Sequence, residues 1–130
     1  MTEDLVNHPK HYAANRVEFE PVDLTERLPH PLASAVEYIL RAPFKGSELL
    51  DLKKAVWWLQ RYQTGRHAED PMIDKVAAAY LHVYAMRNPY IAELYPDDDR
   101  IESDALFTAI RRIRARIDEL EVEENKHDYA

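Results

Sequence analysis

Imidazole, guanidinium and ammonium groups recur in this chain at spacings that a plain helical scaffold does not require. The first group is Asn7, His8, Pro9, Lys10, His11 and Tyr12, which sets two imidazoles three residues apart. Imidazoles donate protons near neutral pH, bond phosphate and ligate metals. A His pair with no third ligand at a defined spacing argues little for zinc or iron. The plainer reading has His8 and Tyr12 packing this segment on the rest of the fold. The second group is Glu37, Tyr38, Arg41 and Lys45. Glu37 and Arg41 are four apart and share a helical face, which by itself makes only a surface ion pair. Arg41 and Lys45 can instead converge on one anion, the first as a planar fork and the second as a point charge. The third group is Asp51, Lys53, Lys54, Trp57, Trp58 and Arg61. Lys54, Trp58 and Arg61 recur at four and three, a stripe turned away from Leu52, Val56 and Leu59. Adjacent tryptophans point about 100° apart on a helix. Only one can be central to a core, and the other is left to stack on a base or on a neighbouring chain.

If these groups handle nucleotides, side chains must do so. Glycine occurs 2 times, at Gly46 and Gly65, and neither lies in a Gly-rich loop. A Walker A cradle or a dinucleotide fingerprint needs several glycines so that backbone can approach phosphate, so both are excluded. The chain has 130 residues, enough for one domain with a self-sufficient core. Cys is 0, which rules out disulfides, thiolate metal sites and cysteine nucleophiles and fits a reducing cytoplasm. The formal net charge is -7 and the pI about 5.3, a balance unsuited to nonspecific duplex binding, whose affinity comes from neutralised phosphates. The start, MTEDLVNHPKHY, is acidic then polar, unlike a secretory leader. No apolar stretch approaches the ~20 residues of a membrane span.

The elements that must position these residues read as helices throughout, so the expected fold class is all-α: a compact bundle of about four main helices with an irregular amino-terminal arm. The arm, residues 1–31, carries Pro9, Pro21, Pro29 and Pro31 and one short helical turn near Val22 to Leu28. A first helix is predicted from Leu32 to Ala42, with Leu32, Ala35, Val36, Ile39 and Leu40 inward and Pro43 as its stop. A second follows Ser47 as N-cap, has Glu48 and Asp51 near its start, and ends at Gly65. A third, Pro71 to Arg87, presents Ile73, Val76, Ala77, Tyr80, Leu81 and Tyr84, and Asn88 and Pro89 close it. A short turn, NPYIAELYP, then leads to a last helix from Ile101 to Glu124. There Leu106, Ile110, Ile113, Ile117 and Leu120 form a heptad seam that packs either on this chain or on a second copy. Arg111, Arg112, Arg114 and Arg116 precede Asp118, Glu119, Glu121, Glu123 and Glu124, an order that antiparallel self-pairing would match. The seam, the exposed aromatics and the small chain together favour a homo-oligomer.

In order along the chain, VNHPKHY, the acidic EPVD with Glu20 and Asp23, AVEYILRAPFK and DLKKAVWWLQR resemble a family of small bacteriophage proteins of unknown function that includes a nucleotide kinase without a P-loop. The resemblance covers residues 6 to about 62 and implies a nucleotide-binding phage protein in the host cytoplasm, most simply a deoxynucleoside monophosphate kinase. It implies His8, His11, Arg41 and Lys45 as the groups that clamp and polarise the transferred phosphoryl, and Asn7, Tyr12, Tyr38, Lys53, Lys54 and Trp57 as substrate-binding; Trp58 joins them from its place in the Lys54 and Arg61 stripe. Asp51, Asp23 and Glu37 would hold Mg²⁺ brought with a nucleoside triphosphate donor, since magnesium is satisfied by one or two carboxylates and phosphate oxygens. The family usually carries a Gly-Asn pair and a Lys where this chain has Ala33, Ser34 and Glu37. That reversal of charge bears on catalysis more than on fold. Two other readings stay open: a non-catalytic nucleotide or host-protein binder, and an all-α nucleoside triphosphate pyrophosphohydrolase, of whose paired acidic helices only Glu48 and Asp51 have a counterpart here.

Overall fold

A computed structural model describes residues 20–44, 46–65, 73–95 and 100–128. Every regular element among them is a helix: α1 (Pro21–Thr25), α2 (His30–Arg41), α3 (Glu48–Thr64), α4 (Lys75–Ala85), α5 (Pro89–Leu94) and α6 (Ser103–Asp128). The all-α expectation holds. Residues 1–19 and 45, with the predicted roles of Asn7, His8, His11, Tyr12 and Lys45, lie outside the described residues.

The helix ends follow local chemistry. Glu20 precedes α1 and donates its N–H to Asp23 Oδ2 at 2.8 Å, while Pro21 supplies a pre-set φ at the first position. Leu24 and Leu28 are buried, so this stretch belongs to the core and is not part of an appended arm. Helix α2 begins at His30 with Pro31 in its first turn and stops at Arg41, two residues before Pro43. The reversal into α3 uses Gly46 at φ 72, in the left-handed region that other residues enter at a cost. Ser47 occupies the N-cap of α3 as expected, but its hydroxyl makes no capping bond; its carbonyl receives the Asp51 N–H at 2.9 Å. Helix α4 starts later than its apolar period suggested, because Asp74 Oδ1 accepts from Ala77 N at 2.7 Å and fixes the first turn there. Of its predicted inward face, Val76 is turned to solvent. The segment read as a turn after Asn88 is the short helix α5, since Asn88 Oδ1 accepts from both Tyr90 N and Ile91 N and Ile91 and Leu94 are buried. Asn88 thus starts α5, three residues after α4 ends at Ala85.

The helices close a ring around one core: α1 on α2, α2 on α3, α3 on α6, α6 on α5, α5 on α4 and α4 back on α1. Arg27 and Asp74, 3.6 Å apart, tie the end of α1 to the start of α4. Directions follow from residue pairs. Arg41 meets Asp51, Tyr38 meets Lys54 and His30 meets Trp58, so residue numbers fall along α2 as they rise along α3 and the two are antiparallel. Glu48 meets Arg116 and Lys53 meets Glu121, equal steps of five in the same sense, so α3 and α6 run parallel. Leu106, Ile110, Ile113 and Ile117 of the heptad seam are buried in this chain's own core, with Leu120 half-buried against it. The intramolecular alternative for the seam therefore holds, and the seam gives no support to pairing between copies. No helix among the described residues is long and apolar enough to cross a membrane.

Candidate functional site at the hairpin of the second and third helices

The corner where α2 ends and α3 begins collects charge in an unusual way. Asp51, in the first turn of α3, is 2% exposed and its Oδ2 receives no hydrogen bond, although Arg41 Nε stands 3.6 Å away. A buried carboxylate normally has hydrogen-bond donors on both oxygens, and one lacking them calls for an account. The account here is Arg41: its guanidinium offsets the Asp51 charge while more than half of its side chain reaches solvent. The nitrogens beyond Nε are in no other ion pair among the described residues, and more than half of the side chain is exposed, which suits the fork to an anion. Glu37, four residues before Arg41 on the same helix, is exposed, and the ion pair goes to Asp51 on the neighbouring helix.

One turn further along α3, Lys54 Nζ lies 5.4 Å from the centre of the Tyr38 ring. The contact crosses from α3 to α2 and holds the ammonium over the aromatic face. Tyr38, Arg41, Asp51 and Lys54 are thus brought together by the antiparallel hairpin. Others of the predicted residues are not. Lys53, next to Lys54 but about 100° around the helix, pairs with Glu121 Oε1 of α6 at 3.1 Å on the opposite flank of α3. Asp23 is engaged in the α1 cap. Among the described residues no three imidazole and carboxylate groups converge as a metal site, so Asp51, Asp23 and Glu37 do not share one.

The two tryptophans divide their tasks. Trp58 is half-buried, packs against the core and meets His30 edge-on at 5.1 Å. It does not join the outward stripe in which its spacing from Lys54 and Arg61 placed it, because the α2 side of α3 takes the ring in. Trp57 is 57% exposed and touches Trp58 edge to face at 4.8 Å. Beside it is an open concavity of about 360 Å³ lined by Trp57, Gln60, Arg61, Gln63 and Thr64. Of these, the glutamines and Thr64 were not singled out from sequence, and nothing in their types marks them; only the α3 wheel, which puts 57, 60, 61 and 64 on one side, could have found them.

Glu48, half of the acidic pair that a pyrophosphohydrolase would use, is committed elsewhere. Arg116 holds it at two points, Nε to Oε2 at 3.2 Å and Nη2 to Oε1 at 3.1 Å, and also reaches Glu119 at 2.9 Å. Arg112 meets Glu93 at 2.9 Å nearby. Between them Tyr90 is held above its ordinary phenol pKa, first by burial and then by the Glu48 carboxylate.

Residues 6–60 match a family described as a protein of unknown function, DUF3310. The match takes in α1, α2 and most of α3, together with the NHPKHY segment, and stops before α4, α5 and α6. No curated protein and no solved structure matches the chain.

Proposed function

We propose that this chain is a phage nucleotide-binding protein whose α2–α3 hairpin holds phosphate with side chains, and that its activity is phosphoryl transfer to a deoxynucleoside monophosphate. The observation that carries the reading is the Arg41–Asp51 pair: a buried carboxylate stands against a guanidinium that is more than half exposed, one helical turn from Lys54. Two cations presented from a rigid hairpin suit a dianionic phosphate, and phosphoryl transfer needs little from a protein beyond positioning and charge stabilisation. That the family match spans the hairpin and the His8 and His11 segment supports a single working unit formed by both. In this reading Arg41 and Lys54 bind phosphate, Asp51 positions Arg41, and His8, His11 and Lys45 complete the clamp. Mg²⁺ would arrive on the phosphates of the donor triphosphate, with Asp51 the carboxylate beside Arg41.

The test is a coupled assay of the full chain with ATP and each deoxynucleoside monophosphate. Arg41→Ala is expected to weaken phosphate binding about ten- to a hundredfold, the range for a lost charge-assisted hydrogen bond. Wild-type chain that neither turns over nor binds any of the four monophosphates removes the proposal. A second reading, a binder that releases its nucleotide unchanged, is favoured by Glu37, whose exposed carboxylate stands one turn from Arg41 where a kinase would gain from a cation. Calorimetric binding without product would select it.

A further inference from the structure

The geometry points to a base-recognition subsite on the carboxyl-terminal half of α3: the concavity beside Trp57 takes a nucleobase stacked on the indole, with Gln60 and Arg61 at the base's edge. The inference rests on the proposed phosphate site and extends it along the same helix. Trp57 is more than half exposed, and yet its ring is held in place, because the edge-to-face contact with Trp58 runs into the packed α2–α3 seam. A fixed, solvent-facing indole offers a stacking platform at little cost in side-chain freedom. The concavity of about 360 Å³ is at the small end of ligand pockets and has room for one nucleobase.

Its position along the helix sets the ligand's length. Lys54, Trp57 and Arg61 lie on one side of α3, and at 1.5 Å per residue Lys54 precedes Arg61 by about 10 Å along the axis. Trp57 follows Lys54 by three residues, about 4.5 Å along the axis, so a phosphate held at Arg41 and Lys54 leaves the base of the same nucleotide within reach of the Trp57 ring. The walls offer what an uncharged base needs: carboxamides that both donate and accept, and the flat Arg61 guanidinium. The chain's cations near this face, Lys54 and Arg61, complement the phosphate at one end and enrich anionic ligands around the other.

Calorimetry of the full chain with the four deoxynucleoside monophosphates and with deoxyribose 5-phosphate tests this. The nucleotides are expected to bind at least tenfold more tightly than the sugar phosphate. Trp57→Ala should remove that difference, weakening nucleotides ten- to a hundredfold and leaving the sugar phosphate unchanged. Trp57→Phe, which keeps a ring, should restore most of it, and Gln60→Ala should alter the order of preference among the four bases. Because Trp57 is exposed, circular dichroism of the variants should overlay wild type; were Trp57→Ala misfolded, the Gln60→Ala preference and the wild-type gap between nucleotide and sugar phosphate still decide. Nucleotide binding that survives Trp57→Ala within twofold, or a sugar phosphate that binds as well as a nucleotide, overturns the subsite and leaves the phosphate site standing. No binding of any monophosphate overturns both. A Trp57→Ala chain that sediments at half the wild-type mass with nucleotide affinity intact assigns the face to a second copy instead.

Discussion

Asp51 and Arg41 show how one residue pair can serve stability and ligand binding together. Removing the guanidinium leaves a buried carboxylate with no compensating charge, which is costly, although the exposure of Arg41 lets water share the burden. Arg41→Ala is expected to lower stability by about 1–2 kcal/mol, read as a drop in the denaturant midpoint at constant slope. Asp51→Asn keeps the volume and removes the anchor, so it should weaken phosphate binding less than Arg41→Ala does. Lys53→Ala, by contrast, should leave phosphate binding untouched, since Lys53 is turned toward Glu121. An equal loss from Lys53→Ala and Lys54→Ala in calorimetry would contradict the division of the two lysines. Tyr90 gives a pH signature. Its pKa in the folded chain is raised above the ordinary 10.0 by burial, so the folded state holds the phenolic proton more tightly than the unfolded state. That contribution is full below pH 10 and is lost as pH rises through the folded value. Denaturant midpoints should fall above pH 10, and Tyr90→Phe should remove part of the fall; superimposable profiles would show that burial of the phenol has no such role.

At the scale of elements, the hairpin of α2 and α3 depends on a reversal that one residue permits. Gly46 has φ 72 and open space around it, so a side chain there would meet no neighbour and the penalty is purely that of the backbone. Gly46→Ala should therefore cost about 1–2 kcal/mol, measured by chemical denaturation, with little change in the spectrum of the folded chain. The start of α3 is held from a second direction by Arg116 on Glu48. Glu48→Gln is expected to lower the denaturant midpoint and to loosen phosphate binding through the same first turn that carries Asp51. Much of this organisation is legible in sequence: Pro43 stops α2, Gly65 ends α3, and the fours and threes of Leu106, Ile110, Ile113 and Ile117 announce α6. What escaped is local competition. Pro71 suggests a helix start, but the Asp74 carboxylate fixes the start of α4; Asn88 and Pro89 suggest a stop, and the same side chain caps a new helix.

For the whole molecule, the match over residues 6–60 and the ring of helices divide the chain differently. The residues proposed to bind ligand all come from the first half, yet the core that supports them is completed by α4, α5 and α6. Ile113 is fully buried against this core, and Ile113→Ala is expected to destabilise the fold by about 2–5 kcal/mol. A fragment ending at Thr64 would leave the inner faces of α2 and α3 uncovered, and it should show neither the helical spectrum nor the ligand affinity of the full chain. A fragment that folded and bound nucleotide alone would show that the later helices are dispensable.

The sequence by itself determined the helical class, most helix ends, the apolar faces and the exclusion of a glycine cradle, because period, proline, glycine and side-chain chemistry act within a few residues. Tertiary structure alone decided which charges meet. Glu37 is the carboxylate that local spacing sets beside Arg41, and the crossing of α2 and α3 chooses Asp51; Lys53 and Lys54 are neighbours in sequence, and the flanking of α3 by α6 and α2 gives them different partners. The same packing draws Trp58 toward the core and leaves Trp57 outside. Such choices depend on contacts between residues far apart in the chain, which no local pattern encodes.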